Sequence, residues 1–74
     1  MKLRGGQVSV GDRFTKVGGH SRIVYVVESV VESYGYGGLP HVRLVAEGQH
    51  DGMLMSVSAL LDDHFWSRIP SERN

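Results

Sequence analysis

The side chains that could do acid–base or metal chemistry meet at two short stretches of the sequence. Asp62-Asp63-His64 places two carboxylates beside an imidazole, and His50-Asp51 places one carboxylate beside a second imidazole. Ligands of one metal ion usually sit at spaced positions, such as His-x-x-x-His, and neither this spacing nor His-x-His occurs. We therefore interpret Asp62-Asp63 as residues that cap and solvate a short helical turn, and we expect no metal ion.

Nucleophilic catalysis needs a nucleophile with a base in hydrogen-bond reach and usually an orienting group. His20-Ser21, His41 and His64 supply suitable atoms, but cysteine is absent and no serine lies in a Gly-x-Ser-x-Gly elbow. We interpret these histidines and serines as surface polar residues. The sequence thus predicts no catalytic residue, no cofactor and no enzymatic activity.

A glycine-rich segment from Ser33 to Pro40 carries two tyrosines. It lacks both the Lys-Ser/Thr ending and the following helix of a phosphate loop. Aromatic side chains on loops of small β domains often bind peptides or stack on bases, so Tyr34, Tyr36 and Trp66 are candidate binding residues. The alternative is a hairpin tip whose tyrosines fold back onto the domain.

Charge is balanced over the chain but not along it. Eight Lys and Arg residues face eight Asp and Glu residues, which argues against affinity through bulk attraction to phosphate or anionic lipid. Residues 1–22 nevertheless hold five cations and one acid, and residues 23–74 hold three cations and seven acids. A basic first third could contact nucleic-acid phosphate. The candidate residues for this alternative are Arg4, Arg13, Lys16 and Arg22.

These residues must be positioned by a single small domain, because 74 residues are too few for two. Ten glycines divide the chain into short runs rich in β-branched and aromatic residues, which is typical of an all-β domain with tight connections. No apolar run approaches the ~18 residues needed to cross a bilayer. We predict five strands, which cover residues 13–17, 23–31, 41–47, 53–57 and 65–69.

The second run is apolar on both faces. Simple alternation puts Ile23, Tyr25, Val27 and Val31 on one face and places Val24, Val26 and Val30 on the other. Either the strand bends and shares both faces with its own domain, or one face is a subunit interface. The third run alternates better, with Val42, Leu44 and Ala46 inward, His41, Arg43 and Glu47 outward, and Val45 as the exception.

The connections also carry signals. Asp51-Gly52 predicts a primed hairpin turn, since both residues tolerate positive φ angles. Residues 58–63 are too few for a long helix and too poor in branched side chains for a strand. They predict a single helical turn of the 3-10 type, with Ser58 as the capping residue.

Two motifs carry a resemblance to a known fold. Val10-Gly11-Asp12-Arg13-Phe14 looks like the opening of the Src-homology-3-like (SH3-like) small barrels found in many bacterial and phage-borne proteins. The stretch from Met55 to Leu61 looks like their fourth strand running into a short helix. The resemblance implies a five-stranded SH3-like barrel over residues 8–69, with a short 3-10 turn before the last strand. Residues 1–7 and 70–74 are then flexible tails.

One enzyme family of this shape is the small plasmid-borne dihydrofolate reductase, in which a tetramer encloses a pore. Val57-Ser58-Ala59-Leu60 resembles its Val-x-Ala-Leu turn. The Val-Gln-Ile-Tyr strand that lines the pore in that family is replaced here by Leu54-Met55-Ser56. Because the glutamine and tyrosine are missing, no catalytic role is carried over.

The sequence favours a non-enzymatic binding module in the cytoplasm. We expect it to meet a protein partner or a second copy of itself through strand 2 and the loop of residues 34–40. The alternative is a nucleic-acid-binding barrel that uses the basic first third of the chain. We expect neither a secretory signal nor a membrane segment.

Overall fold

A computed structural model of the chain describes residues 8–18, 23–34 and 38–70, with the side chains of Ser33 and Tyr34 excepted. The described part contains five strands and one short helix. In chain order these are β1 (Arg13–Lys16), β2 (Tyr25–Tyr34), β3 (Leu39–Ala46), β4 (Gly52–Ser56), α1 (Val57–Leu60) and β5 (Trp66–Ile69). All five strands were predicted from the sequence, with ends that coincide or differ by up to three residues.

The strands form one antiparallel sheet in the order β4-β3-β2-β1-β5. The all-β class is thereby confirmed. β4 and β5 are the two edge strands, and the described strands do not close into a barrel. The long β2 is the centre of the sheet, since it pairs with β1 near its start and with β3 along its length.

The core lies on one side of the sheet, under α1 and beside the start of β5. Its fully or nearly fully buried side chains are Phe14, Val27, Val42, Leu44, Leu60 and Trp66. The inward positions predicted for Val42 and Leu44 are confirmed. Interior packing of this density is what lets so small a domain offset its conformational entropy without a disulfide.

The alternation of side chains between the two faces of β2 is interrupted at Glu28. Val27 lies opposite Leu44 and Ser29 lies opposite Arg43, so Glu28 is an extra residue in the ladder. Beyond this bulge Val30 lies opposite the buried Val42 and packs against the core. The prediction that Val30 and Val27 occupy opposite faces was therefore wrong, because alternation fails wherever a strand carries an extra residue.

The entry to β1 explains the Val-x-Gly-Asp motif. Gly11 has a φ angle of 95°, which glycine adopts without steric cost, and its amide donates to the Val27 carbonyl at 2.9 Å. The Asp12 carboxylate accepts a hydrogen bond from the Ser9 amide at 2.8 Å. This side-chain bond closes the turn and delivers the chain to β1 next to β2.

The hairpin between β3 and β4 turns earlier than predicted. The Gln49 amide donates to the Ala46 carbonyl at 3.0 Å, and Gly48 has a φ angle of 81°. Gly52 already belongs to β4 and lacks a positive φ angle, so the expected primed turn at Asp51-Gly52 was wrong. Glycine is required there for another reason: a Cβ would lie 2.8 Å from the Leu44 carbonyl oxygen.

The helical turn before β5 is α-helical rather than 3-10. The Leu61 amide donates to the Val57 carbonyl at 3.0 Å, a bond that spans four residues. The next bond, from Asp62 to Ala59, spans three residues, so only the end of the turn tightens. The cap is Ser56 rather than Ser58, because the Ser56 hydroxyl accepts from the Ala59 amide at 3.2 Å.

Replacing Ser56 with alanine is expected to lower the free energy of unfolding by about 1 kcal/mol, the usual effect of losing a helix cap. Urea unfolding followed by circular dichroism measures the change. Ser67→Ala is the matched control and should change stability by less than half as much, since Ser67 is exposed on β5 and lies outside α1. An equal loss in both variants would contradict the capping assignment.

Candidate binding surface

The sheet has a second face that the core does not cover. Residues directly opposite each other on paired strands share a face, so the register identifies its members. Val26 lies opposite Val45, Leu54 lies opposite Arg43, and Val31 lies opposite His41. We call the side of β2, β3 and β4 that carries these residues the outer face.

Each of the three strands contributes an apolar side chain to the outer face, which also carries Ser29, His41, Arg43 and Ser56. Leu54 on β4 is 46% exposed, and Leu39 at the start of β3 is 58% exposed. Val26, Val31 and Val45 are partly buried between them. An exposed apolar surface that runs across neighbouring strands is a common feature of protein interaction sites.

One ion pair crosses the outer face. The Arg43 Nε atom donates to Glu28 Oε1 at 2.6 Å, and Arg43 Nη2 donates to the His50 carbonyl oxygen at 3.4 Å. Both charged side chains are about half exposed, so the pair contributes little stability. The Arg43 guanidinium lies against Gly52 of β4, with its Cζ atom 2.9 Å from where a Cβ on that glycine would lie.

Trp66 lies in the core instead of on a loop surface. Its side chain is 8% exposed, and its ring meets Tyr25 edge to face with centroids 5.4 Å apart. Lys16 lies opposite Trp66, and its Nζ atom is 5.9 Å from the centroid of each ring. The three side chains form a cation–aromatic contact at the edge of the core.

Of the other two candidate aromatic residues, the structure describes only the backbone of Tyr34. Tyr34 ends β2, and its backbone lies opposite Leu39, but its side chain is outside the described atoms. Tyr36 lies outside the described residues altogether. Their role in binding stays a prediction.

Two of the four candidate nucleic-acid residues are described, and each already has a partner. Arg13 Nε lies 3.4 Å from Glu47 Oε2, and Lys16 lies over the two aromatic rings. Arg4 and Arg22 lie outside the described residues. Neither Arg13 nor Lys16 therefore offers nucleic-acid phosphate an unpaired positive charge.

Asp62, Asp63 and His64 form a compact exposed cluster, with potential ligand atoms within 4.8 Å of one another. Asp62 Oδ1 accepts from the His64 amide at 3.0 Å and lies 3.1 Å from the His64 ring. The backbone bond, with the ring bond adding to it, holds the pKa of the Asp62 carboxyl below its ordinary value. These bonds fix the turn between α1 and β5.

An open groove lies where β2 begins, next to the end of β3 and the turn that follows it. Its volume is about 470 Å³. We call its apolar lining residues the floor and its polar and acidic lining residues the rim. Its lining residues are Ile23, Val24, Tyr25, Ala46, Glu47, Gln49 and Asp51. We call it the Tyr25 groove.

Sequence reasoning did not identify Leu54 or the Tyr25 groove. Val45 gave a signal, since it was the exception to the alternation of its strand and lies on the outer face. Leu54 carried no comparable signal, because the five residues of β4 are all uncharged and do not alternate between polar and apolar. The groove joins residues more than twenty positions apart, and only the pairing of β2 with β3 brings them together.

Comparison of the chain with protein-family models, with curated proteins and with solved structures finds no match. Within the described ranges, no helix has the length and apolar character that a membrane crossing requires.

Proposed function

We propose that this protein is a non-enzymatic binding module that meets a protein surface through the outer face. The observation that carries the proposal is the exposure of Leu54 and Leu39 on one continuous face with Val26, Val31 and Val45. β2 and the end of the 34–40 loop both contribute to this face, as the sequence predicted for the contact. The partner is another protein or a second copy of the chain.

We also propose that the fold is an SH3-like barrel. The strand order β4-β3-β2-β1-β5, the long bulged β2 and the helical turn between β4 and β5 support this assignment. In such a barrel β2 bends at its bulge and takes part in both halves of the sheet. The outer face then belongs to the half formed by β2, β3 and β4.

A protein partner has more support than a nucleic acid. The whole chain has no net charge, so bulk attraction supplies no affinity for phosphate. Arg13, Arg43 and Arg68 each lie within 4.0 Å of a carboxylate, and Lys16 lies over aromatic rings. The exposed apolar side chains of the outer face suit a protein surface.

Leu54→Glu is expected to weaken partner binding by tenfold or more, since a carboxylate at the centre of the contact must lose its water (~1.4 kcal/mol per tenfold). The sheet tolerates this change because residue 54 lies opposite Arg43. Size-exclusion chromatography with light scattering measures self-association, and quantitative capture from lysate of the native organism measures binding to other proteins.

Phe65→Glu is the matched control. Phe65 is at least as exposed as Leu54 but lies in the turn before β5, away from the outer face. This variant should bind like the wild type. A strictly monomeric wild type with no specific partner would overturn the proposed function, and equal loss in both variants would overturn the assignment to the outer face.

A further inference from the structure

We propose that the Tyr25 groove binds an arginine side chain of a basic partner peptide. This site is independent of the proposed function, because its lining residues are separate from the exposed leucines of the outer face. The two sites can therefore fail or succeed separately.

The groove has two chemically different parts. Ile23, Val24, Tyr25 and Ala46 supply an apolar floor, and Ile23 is exposed. Glu47 and Asp51 place carboxylates at the rim, with the Gln49 amide between them in sequence. An arginine side chain matches this division, because its methylene stem covers apolar surface while its guanidinium stays at the polar edge.

Charge favours a cationic occupant. Among the described residues, the groove lining holds two acids and no basic side chain. Asp51 makes no ion pair with any described residue. A cation entering the groove therefore meets an unneutralised carboxylate at the rim.

The rim already contacts one guanidinium. Arg13, which is not part of the lining, lies 3.4 Å from Glu47 through its Nε atom. The contact shows that the Glu47 carboxylate is within reach of a planar donor that comes from outside the groove. Arginine is preferred over lysine because its planar fork of donors can bind a carboxylate through two parallel hydrogen bonds.

The test is an NMR titration of the ¹⁵N-labelled full chain with acetyl-Ala-Arg-Ala-amide. Acetyl-Ala-Gln-Ala-amide is the uncharged control peptide. We expect saturable shifts of the Ala46, Glu47 and Gln49 amides with the arginine peptide only. Asp51→Asn should weaken binding about fivefold, which is the upper range for an exposed ion pair.

Two further variants separate a groove contact from general attraction. Glu32→Gln removes the same charge from the far end of β2 and should leave the affinity unchanged. Arg13→Gln releases the Glu47 carboxylate and should strengthen binding about twofold or more, a gain within the range of one exposed pair. Arg68→Gln removes the same charge from β5 and should give no such gain.

Three results would overturn the proposal. The first is an equal response to the arginine and glutamine peptides. The second is a set of non-saturable shifts spread over other acidic residues such as Glu32 and Asp63. The third is a gain of more than fivefold in Arg22→Gln, the residue that precedes Ile23 in the sequence, because the chain itself would then compete for the groove.

Discussion

Phe14→Ala is expected to leave most of the protein unfolded at 25 °C. Phe14 is 1% exposed and belongs to the core with Val27, Leu44 and Trp66. Truncating a buried phenylalanine costs about 3–5 kcal/mol, since the transfer free energy is lost and a cavity remains. A core in a domain of this size rarely supplies more than about 3–5 kcal/mol in total.

Phe65→Ala is the control for this variant, because it removes the same side chain from a position that is 64% exposed. It should change the free energy of unfolding by less than about 0.5 kcal/mol, as surface substitutions usually do. Thermal and urea unfolding followed by circular dichroism compares the two. A Phe14→Ala variant as stable as Phe65→Ala would contradict the burial of Phe14.

The second large effect is expected from Val30→Asp, which should also prevent stable folding. Val30 packs against the core opposite Val42, and Val42 is fully buried. A carboxylate at this position either remains charged without a partner or binds a proton at a cost of several kcal/mol. Both outcomes exceed the few kcal/mol of stability available to a small domain.

Val31→Asp tests the same substitution one residue further along β2. Val31 lies on the outer face opposite His41 and is only partly buried, so a carboxylate there keeps contact with water and does not enter the core. Its expected cost is at most about 1 kcal/mol, the typical effect of an average substitution. Circular dichroism of both variants decides between the bulged and the regular strand. Regular alternation predicts the reverse order, with Val31→Asp the more damaging.

The strands were predictable because their signals are local. Branched and aromatic runs between glycines located β1 to β5, and Val42 and Leu44 were placed inward by alternation alone. The errors arose where one residue changes the geometry. Glu28 adds a residue to β2, and Gly48 rather than Gly52 takes the positive φ angle, a choice that pairing between strands decides.

The candidate surfaces were less predictable than the strands. The outward positions of His41 and Arg43 followed from alternation, but the contact between Arg43 and Glu28 depends on the bulge. Trp66 was placed on the last strand, but its burial was not predicted, because the sequence does not show that Tyr25 packs against it. Interactions between distant parts of the chain require the register, and the sequence pattern does not specify it.

The position of Trp66 gives the protein a fluorescence probe of its own. Trp66 is the single tryptophan of the chain, and its ring meets Tyr25, which also forms part of the groove floor. An arginine that settles on Tyr25 changes the surroundings of the emitting ring. A partner on the outer face leaves them unaltered. Tryptophan emission therefore distinguishes which of the two surfaces is occupied, without any added label.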